Sequence, residues 1–220
     1  MNGQDLDLAS TQLIDLACAS IERGLDYAWS PEPPELARRA ELELPGTCFV
    51  TLSTLTHGLR GCRGALEAHR SLAADVWHNA FASAFDDPRF LPVERDEFED
   101  LTVEVSVLSE LRPLEVSSEA ELLAVLVPQR DGVVLGHRGR RATFLPKVWE
   151  LVPSPREFVA ELKHKAGLRR DFWARDVAIW TYTTEIAQGS ARDYGARARG
   201  SQGIAPTLAV VDEERGVDRF

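Results

Sequence analysis

Leu101–Leu108 alternates without a break: Leu101, Val103, Val105 and Val107 fall on one side, Thr102, Glu104 and Ser106 on the other. Only extended backbone, whose successive side chains point to opposite faces, gathers four such residues on one surface. The stretch is predicted to be a half-buried strand, apolar face inward. Thr47–Leu55 repeats the pattern, with Cys48, Val50 and Leu52 against Thr47, Thr51 and Ser53. Phe49 is the apolar exception on its polar side.

Helical patterns are interspersed with these strands. Leu13, Ala17, Ile21 and Leu25 recur at helical spacing over residues 10–25, with Ser10 as a candidate N-cap. A short helix is expected over Glu35–Leu42. Ser71–Phe85 carries a stripe of Leu72, Val76, Ala80 and Ala84, starts at a capping serine and ends before Pro88. Ser118 with Glu121, and Ser154 with Glu157, are capping boxes. Asp131-Gly132 leads into a second hairpin, Val133–Leu135 and Ala142–Leu145, and Val177–Thr184 is a late strand. Hairpins mixed with helices predict an α+β protein, a mainly antiparallel sheet flanked by helices. Residues 1–188 are expected to form one domain. From 189 to 220 glycine, arginine and alanine dominate the first half, and a poorly ordered or edge-packed tail is expected, with 207–211 as a short edge strand.

Composition excludes more than it selects. The 220 residues carry 25 basic and 35 acidic side chains, a net charge of −10, which gives no counterion-release attraction to nucleic acid. No apolar run approaches the ~20 residues that span a bilayer, and the first residues lack the basic and apolar regions of a signal peptide. A cytoplasmic protein without membrane or nucleic-acid partners is expected. Its three cysteines, Cys18, Cys48 and Cys62, read as free thiols; none is spaced C-x-x-C. No histidines share metal-ligand spacing on one face, and no phosphate-binding or dinucleotide glycine motif is present, so no metal is expected and no cofactor is indicated.

Leu59-Arg60-Gly61-Cys62-Arg63-Gly64 concentrates two arginines, two glycines and a thiol. It comes after the turn Thr56-His57-Gly58 and so reads as the returning arm of a hairpin. On an extended arm Arg60, Cys62 and Gly64 share a face and Arg63 faces away. The functional reading makes Cys62 a nucleophile or contact, Arg60 a guanidinium that favours a thiolate or clamps an anion, and Glu104 a general base. Gly61, Arg63 and Gly64 would bind ligand, the glycines through bare amides. The bland reading makes Cys62 an inert small residue in a glycine bend and Arg60 half of a structural ion pair. A basic turn, His137, Arg138, Arg140 and Arg141, is either a solvated loop or an anion contact.

The same stretch resembles the L-R-G-C-I-G pattern of the AMMECR-type domain, protein A of the AmmeMemoRadiSam system. Phe49-Val50-Thr51-Leu52 before it and Gly64-Ala65-Leu66-Glu67 after it continue the likeness. So do Asn79-Ala80, Asp87-Pro88-Arg89-Phe90, Glu104-Val105-Ser106-Val107-Leu108, Asp131-Gly132-Val133-Val134, Phe144-Leu145-Pro146, Lys165-Ala166-Gly167-Leu168 and Trp173. The resemblance covers about residues 10–186, with Arg63 where the pattern has isoleucine. It implies a compact α+β fold with a larger and a smaller lobe, and an activity that is not settled. Two function classes are open: an enzyme or enzyme subunit acting on a small anionic metabolite, or a non-catalytic adaptor. The resemblance implies a Memo-like protein and a radical SAM protein as partners. A homodimer through an exposed strand edge is a third possibility.

Overall fold

The computed structural model describes residues 3–27 and 40–201. Helix α1 (Gly3–Tyr27) and a short α2 (Ala40–Glu43) precede the hairpin β1 (Cys48–Thr54) and β2 (Gly58–Gly64). Next come α3 (Leu72–Phe85), β3 (Thr102–Leu108), β4 (Arg112–Leu114), α4 (Glu119–Val125), β5 (Gly132–His137), β6 (Arg140–Phe144) and α5 (Pro155–Lys165). The described chain closes with β7 (Ala178–Tyr182), β8 (Thr184–Ser190) and α6 (Ala191–Ser201). The strands form two four-stranded antiparallel sheets, ordered β2-β1-β3-β8 and β4-β7-β5-β6. The α+β class read from the sequence is therefore the observed one.

Each sheet has its own core. Val50, Leu52, Val103 and Val105 of the first pack with Ile14, Ala17 and Ile21 of α1 and Val76, Trp77 and Ala80 of α3. Each fully buried aliphatic side chain here contributes about 1.5–3 kcal/mol. Polar bonds fix the register: Ser83 donates to the Val50 carbonyl at 2.8 Å, and buried Asp75 accepts from the Cys48 amide at 2.9 Å. In the second lobe Val133, Leu135 and Ile179 pack on Phe158, Val159 and Leu162 of α5, with Trp149 stacked on Phe158. A third cluster joins the lobes: Leu108, Val134 and Tyr182, with Phe49, Leu66, Leu145 and Trp180 against them. Phe49 thus breaks the polar alternation of β1 because it faces the second sheet.

Ser71, Ser118 and Ser154 cap their helices as expected, accepting from Ala74, Glu121 and Glu157. Four expectations need correction. Helix α1 reaches back to Gly3, so Ser10 lies inside it. Of the helix expected over 35–42, residues 35–39 lie outside the described residues, and the described helix there is α2, which starts at Ala40. β3 is covered on both faces: Glu104 and Ser106 are buried because the second lobe stands over them. Residues 189–201 are not a loose tail. They complete β8 and form α6, which is held by buried Ala191 and by the Tyr194 hydroxyl donating to Glu22 at 2.9 Å. The rest of that expected tail, including the edge strand at 207–211, lies outside the described residues. No helix among the described residues is long and apolar enough to cross a membrane.

Gly61 faces α3 so closely that a Cβ there would lie 2.0 Å from the Ser83 carbonyl oxygen. Backbone cannot yield as a flexible side chain would. Gly61→Ala is expected to cost about 2–3 kcal/mol, the upper part of the range for overpacking, and to lower the unfolding midpoint by about 4–12 °C in calorimetry. Gly58→Ala, at positive φ with open space around it, is expected to cost only about 1 kcal/mol.

Candidate functional site

Strand pairing places Cys62 opposite Thr51, Thr51 opposite Glu104 and Glu104 opposite Gln188. Directly opposed residues project from one face of a sheet. A thiol, a hydroxyl, a carboxylate and an amide therefore form a row across all four strands, on the face turned away from α1 and α3. The Thr51 hydroxyl donates to the Cys62 sulfur at 3.5 Å. Glu104 is 7% exposed and ion-paired with Lys147, in the turn Pro146–Glu150 of the second lobe. The backbones of Glu104 and Cys62 are two strand spacings apart, roughly 9–10 Å. The group that touches the thiol is therefore Thr51, and the expectation of Glu104 as its direct base does not hold.

β2 is an edge strand, and its exposed amide at Cys62 is not left free. The Cys62 N–H donates to Asp87 Oδ2 at 2.9 Å. Asp87 is 5% exposed and also receives the Arg89 guanidinium in a fork, at 2.9 and 2.6 Å. That guanidinium, reinforced by the Cys62 and Arg89 amides, holds the Asp87 carboxyl well below the usual carboxylate range against the opposing effect of burial. The Asp87-Pro88-Arg89 segment thus fixes the backbone under the sulfur. Cys62 lies within electrostatic range of both Arg89 and Lys165. Lys165, at the end of α5, reaches the seam from the other lobe and donates to the Thr143 carbonyl at 3.0 Å. Protein packed around its ammonium pulls its pKa below the ordinary lysine value, with Cys62 opposing the fall and Arg89 adding to it.

Arg60 is not brought to the thiol. A bulge between Leu52 and Ser53 takes it out of the alternation that would have aligned it with Cys62. Its Nε and Nη2 bind the two Glu97 carboxylate oxygens at 2.8 and 2.9 Å, and its other donors reach the Leu91 and Pro92 carbonyls. It is the structural ion pair of the bland reading. Gly61 and Gly64 are packing glycines: a Cβ on Gly64 would lie 2.4 Å from the Phe49 ring. Arg63 turns to the helical side and donates to the Asp86 carbonyl at the end of α3. The basic turn is also spent internally, with His137 and Arg138 on Asp176, Arg140 on the Gly167 carbonyl and Arg141 on Glu67.

Of the residues proposed from sequence, Cys62 and Glu104 share a row and Arg60 does not join them. Thr51, Asp87, Arg89, Lys147 and Lys165 were not proposed. Asp87, Arg89 and Lys165 stand in blocks already visible in the sequence; what was missing was their convergence from separate elements.

The AMMECR1 family model matches residues 14–187. A Thermotoga maritima protein is 35% identical over 166 residues, covering 75% of this chain and 90% of its own length. A Thermofilum pendens protein is 34% identical over 175 residues, covering 73% and 80%. The crystal structure of the uncharacterized protein PH0010 from Pyrococcus horikoshii superposes with a TM-score of 0.74 at 34% identity, covering 79% of this chain and 88% of that one.

Because the folded-state pKa of Asp87 is depressed, its stabilisation is complete above the unfolded value near pH 4 and is lost as pH falls below it. Asp87→Asn is expected to cost about 2–3 kcal/mol near neutrality, the value of a charged hydrogen bond. Its urea midpoint is expected to fall less than the wild type's between pH 6 and pH 3. Equal slopes would show that Asp87 is not the group responsible.

Proposed function

The chain belongs to the AMMECR1 family, and on that footing we propose that it is an enzyme or enzyme subunit that takes a small anionic metabolite at the Cys62 thiol. One contrast carries the reading. Cys18 and Cys48 are wholly buried; burial pushes the Cys18 thiol up to about 12 and Cys48 further still. Cys62 is half-buried, on a polar row, with Thr51 on its sulfur and Arg89 and Lys165 beside it. A partly exposed thiol with cations in electrostatic range is the arrangement in which cysteine works as a nucleophile or ligand contact. Thr51 donates to the sulfur, and Asp87 with Arg89 holds its backbone. Glu104 with Lys147 provides a second charged pair farther along the row.

A second reading, a docking module for a Memo-like or radical SAM protein, has one observation in its favour. Leu55, Leu59 and Leu91 are 101%, 44% and 83% exposed, and the Arg60 bonds to residues 91 and 92 draw Leu59 and Leu91 into one region. If that region docks a Memo-like protein, Leu91→Asp is expected to weaken capture of the purified partner at least about tenfold, as loss of a central apolar anchor does. Unchanged capture sinks this reading.

For the thiol reading, native protein treated with iodoacetamide is expected to label at Cys62 alone by peptide mass spectrometry. Cys18, with its pKa near 12, is expected to react at least about a thousandfold more slowly than an ordinary thiol at mildly alkaline pH. Cys62→Ser removes the fast reaction. Labelling of Cys62 as slow as that of the buried cysteines would overturn the assignment.

A further inference from the structure

We propose that Lys165 forms an anion subsite on the second-lobe side of Cys62, so that the ligand that meets the sulfur carries a negative group. The inference deepens, and rests on, the reading of Cys62 as a contact atom. It begins with the pairing of charges along the seam between the lobes. Lys147 is held by Glu104, Arg89 by Asp87 and Arg141 by Glu67. Lys165 is left over: among the described residues its ammonium meets no carboxylate. Its contacts are the Thr143 carbonyl, at 3.0 Å, and the Phe144 ring, whose centre is 5.1 Å away.

A carbonyl and a ring face stabilise an ammonium without cancelling its charge. The two carboxylates nearest the row, Glu104 and Asp87, do not oppose an anion, since each is neutralised by its own base. Arg89 adds little attraction of its own because Asp87 matches it. Lys165 is a charge that no carboxylate matches, and it lies within electrostatic range of Cys62, whereas Arg63 is turned to the helical side of the sheet.

Two alkylating reagents of equal size separate this subsite from simple exposure of the thiol. Iodoacetate and iodoacetamide attack the same thiolate, so the thiolate fraction cancels in the ratio of their rates, and only the response to the reagent's charge remains. The full-length chain is treated with each reagent at low ionic strength, native and in concentrated urea, and the rates are read on the Cys62 peptide. The native ratio of iodoacetate to iodoacetamide is expected to exceed the urea ratio by about three- to tenfold, the effect of one uncompensated charge within electrostatic range. Added salt is expected to lower it. Lys165→Met is expected to bring it within about twofold of the urea value, and Lys165→Arg to retain it. A native ratio no higher than the urea ratio, or one unchanged by Lys165→Met, overturns the subsite while the thiol reading stands. Silence of Cys62 toward both reagents overturns the thiol reading and this inference with it. Should Lys165→Met fail to fold, the native-to-urea comparison in the wild type and in Lys165→Arg still decides.

Discussion

Leu108, Val134 and Tyr182 are buried between two sheets whose helices lie on their outer sides, with Phe49, Leu66, Leu145 and Trp180 packed around them. This contact turns a sheet face that would have met water into the wall of a seam. Without it the Cys62–Thr51–Glu104–Gln188 row would be an ordinary hydrated surface of an antiparallel sheet. With it, Glu104 and Ser106 are buried, and Lys147 and Lys165 reach the same wall from the second lobe.

Burying charge against a sheet is costly unless each charge is matched. The seam obeys that rule almost throughout. Glu104 is matched by Lys147, Asp87 by Arg89 and Glu67 by Arg141. The edge amide of Cys62 ends on Asp87, which also closes a strand edge that would otherwise invite another chain. Lys165 is an exception to the matching, with only a carbonyl and a ring face as partners. On the other side of β2, the absence of a side chain at Gly61 lets the strand lie against the Ser83 carbonyl. The position of the sulfur is therefore set from three directions: the helix behind, the Asp87 carboxylate beside and the Thr51 hydroxyl next to it on the row.

Much of this was legible in the sequence because it is local. The alternation of Leu101–Leu108, the stripe of Ser71–Phe85 and the capping serines at 71, 118 and 154 each act within a few residues, and each appears where expected. The Arg60 expectation failed for a reason that is also local but not visible in residue types. A one-residue bulge reverses which face a side chain takes, and the two-residue spacing of Arg60 and Cys62 then no longer aligns them. Composition left the stretch after residue 188 open between poorly ordered and edge-packed, because it cannot report that Tyr194 finds Glu22 across the fold.

The sequence by itself determined the class of the fold, the strands β1 to β3 and β5 to β7, the family likeness and the candidacy of Cys62, since periodicity, capping and short motifs are properties of neighbouring residues. The tertiary structure alone decided which charges stand near that thiol. Arg60, two residues away, is held by Glu97, whereas Lys165, 103 positions further on than Cys62, comes within electrostatic range of it. Electrostatic neighbours are chosen by the packing of whole sheets and helices, and that packing is fixed by apolar contacts between residues far apart in the chain.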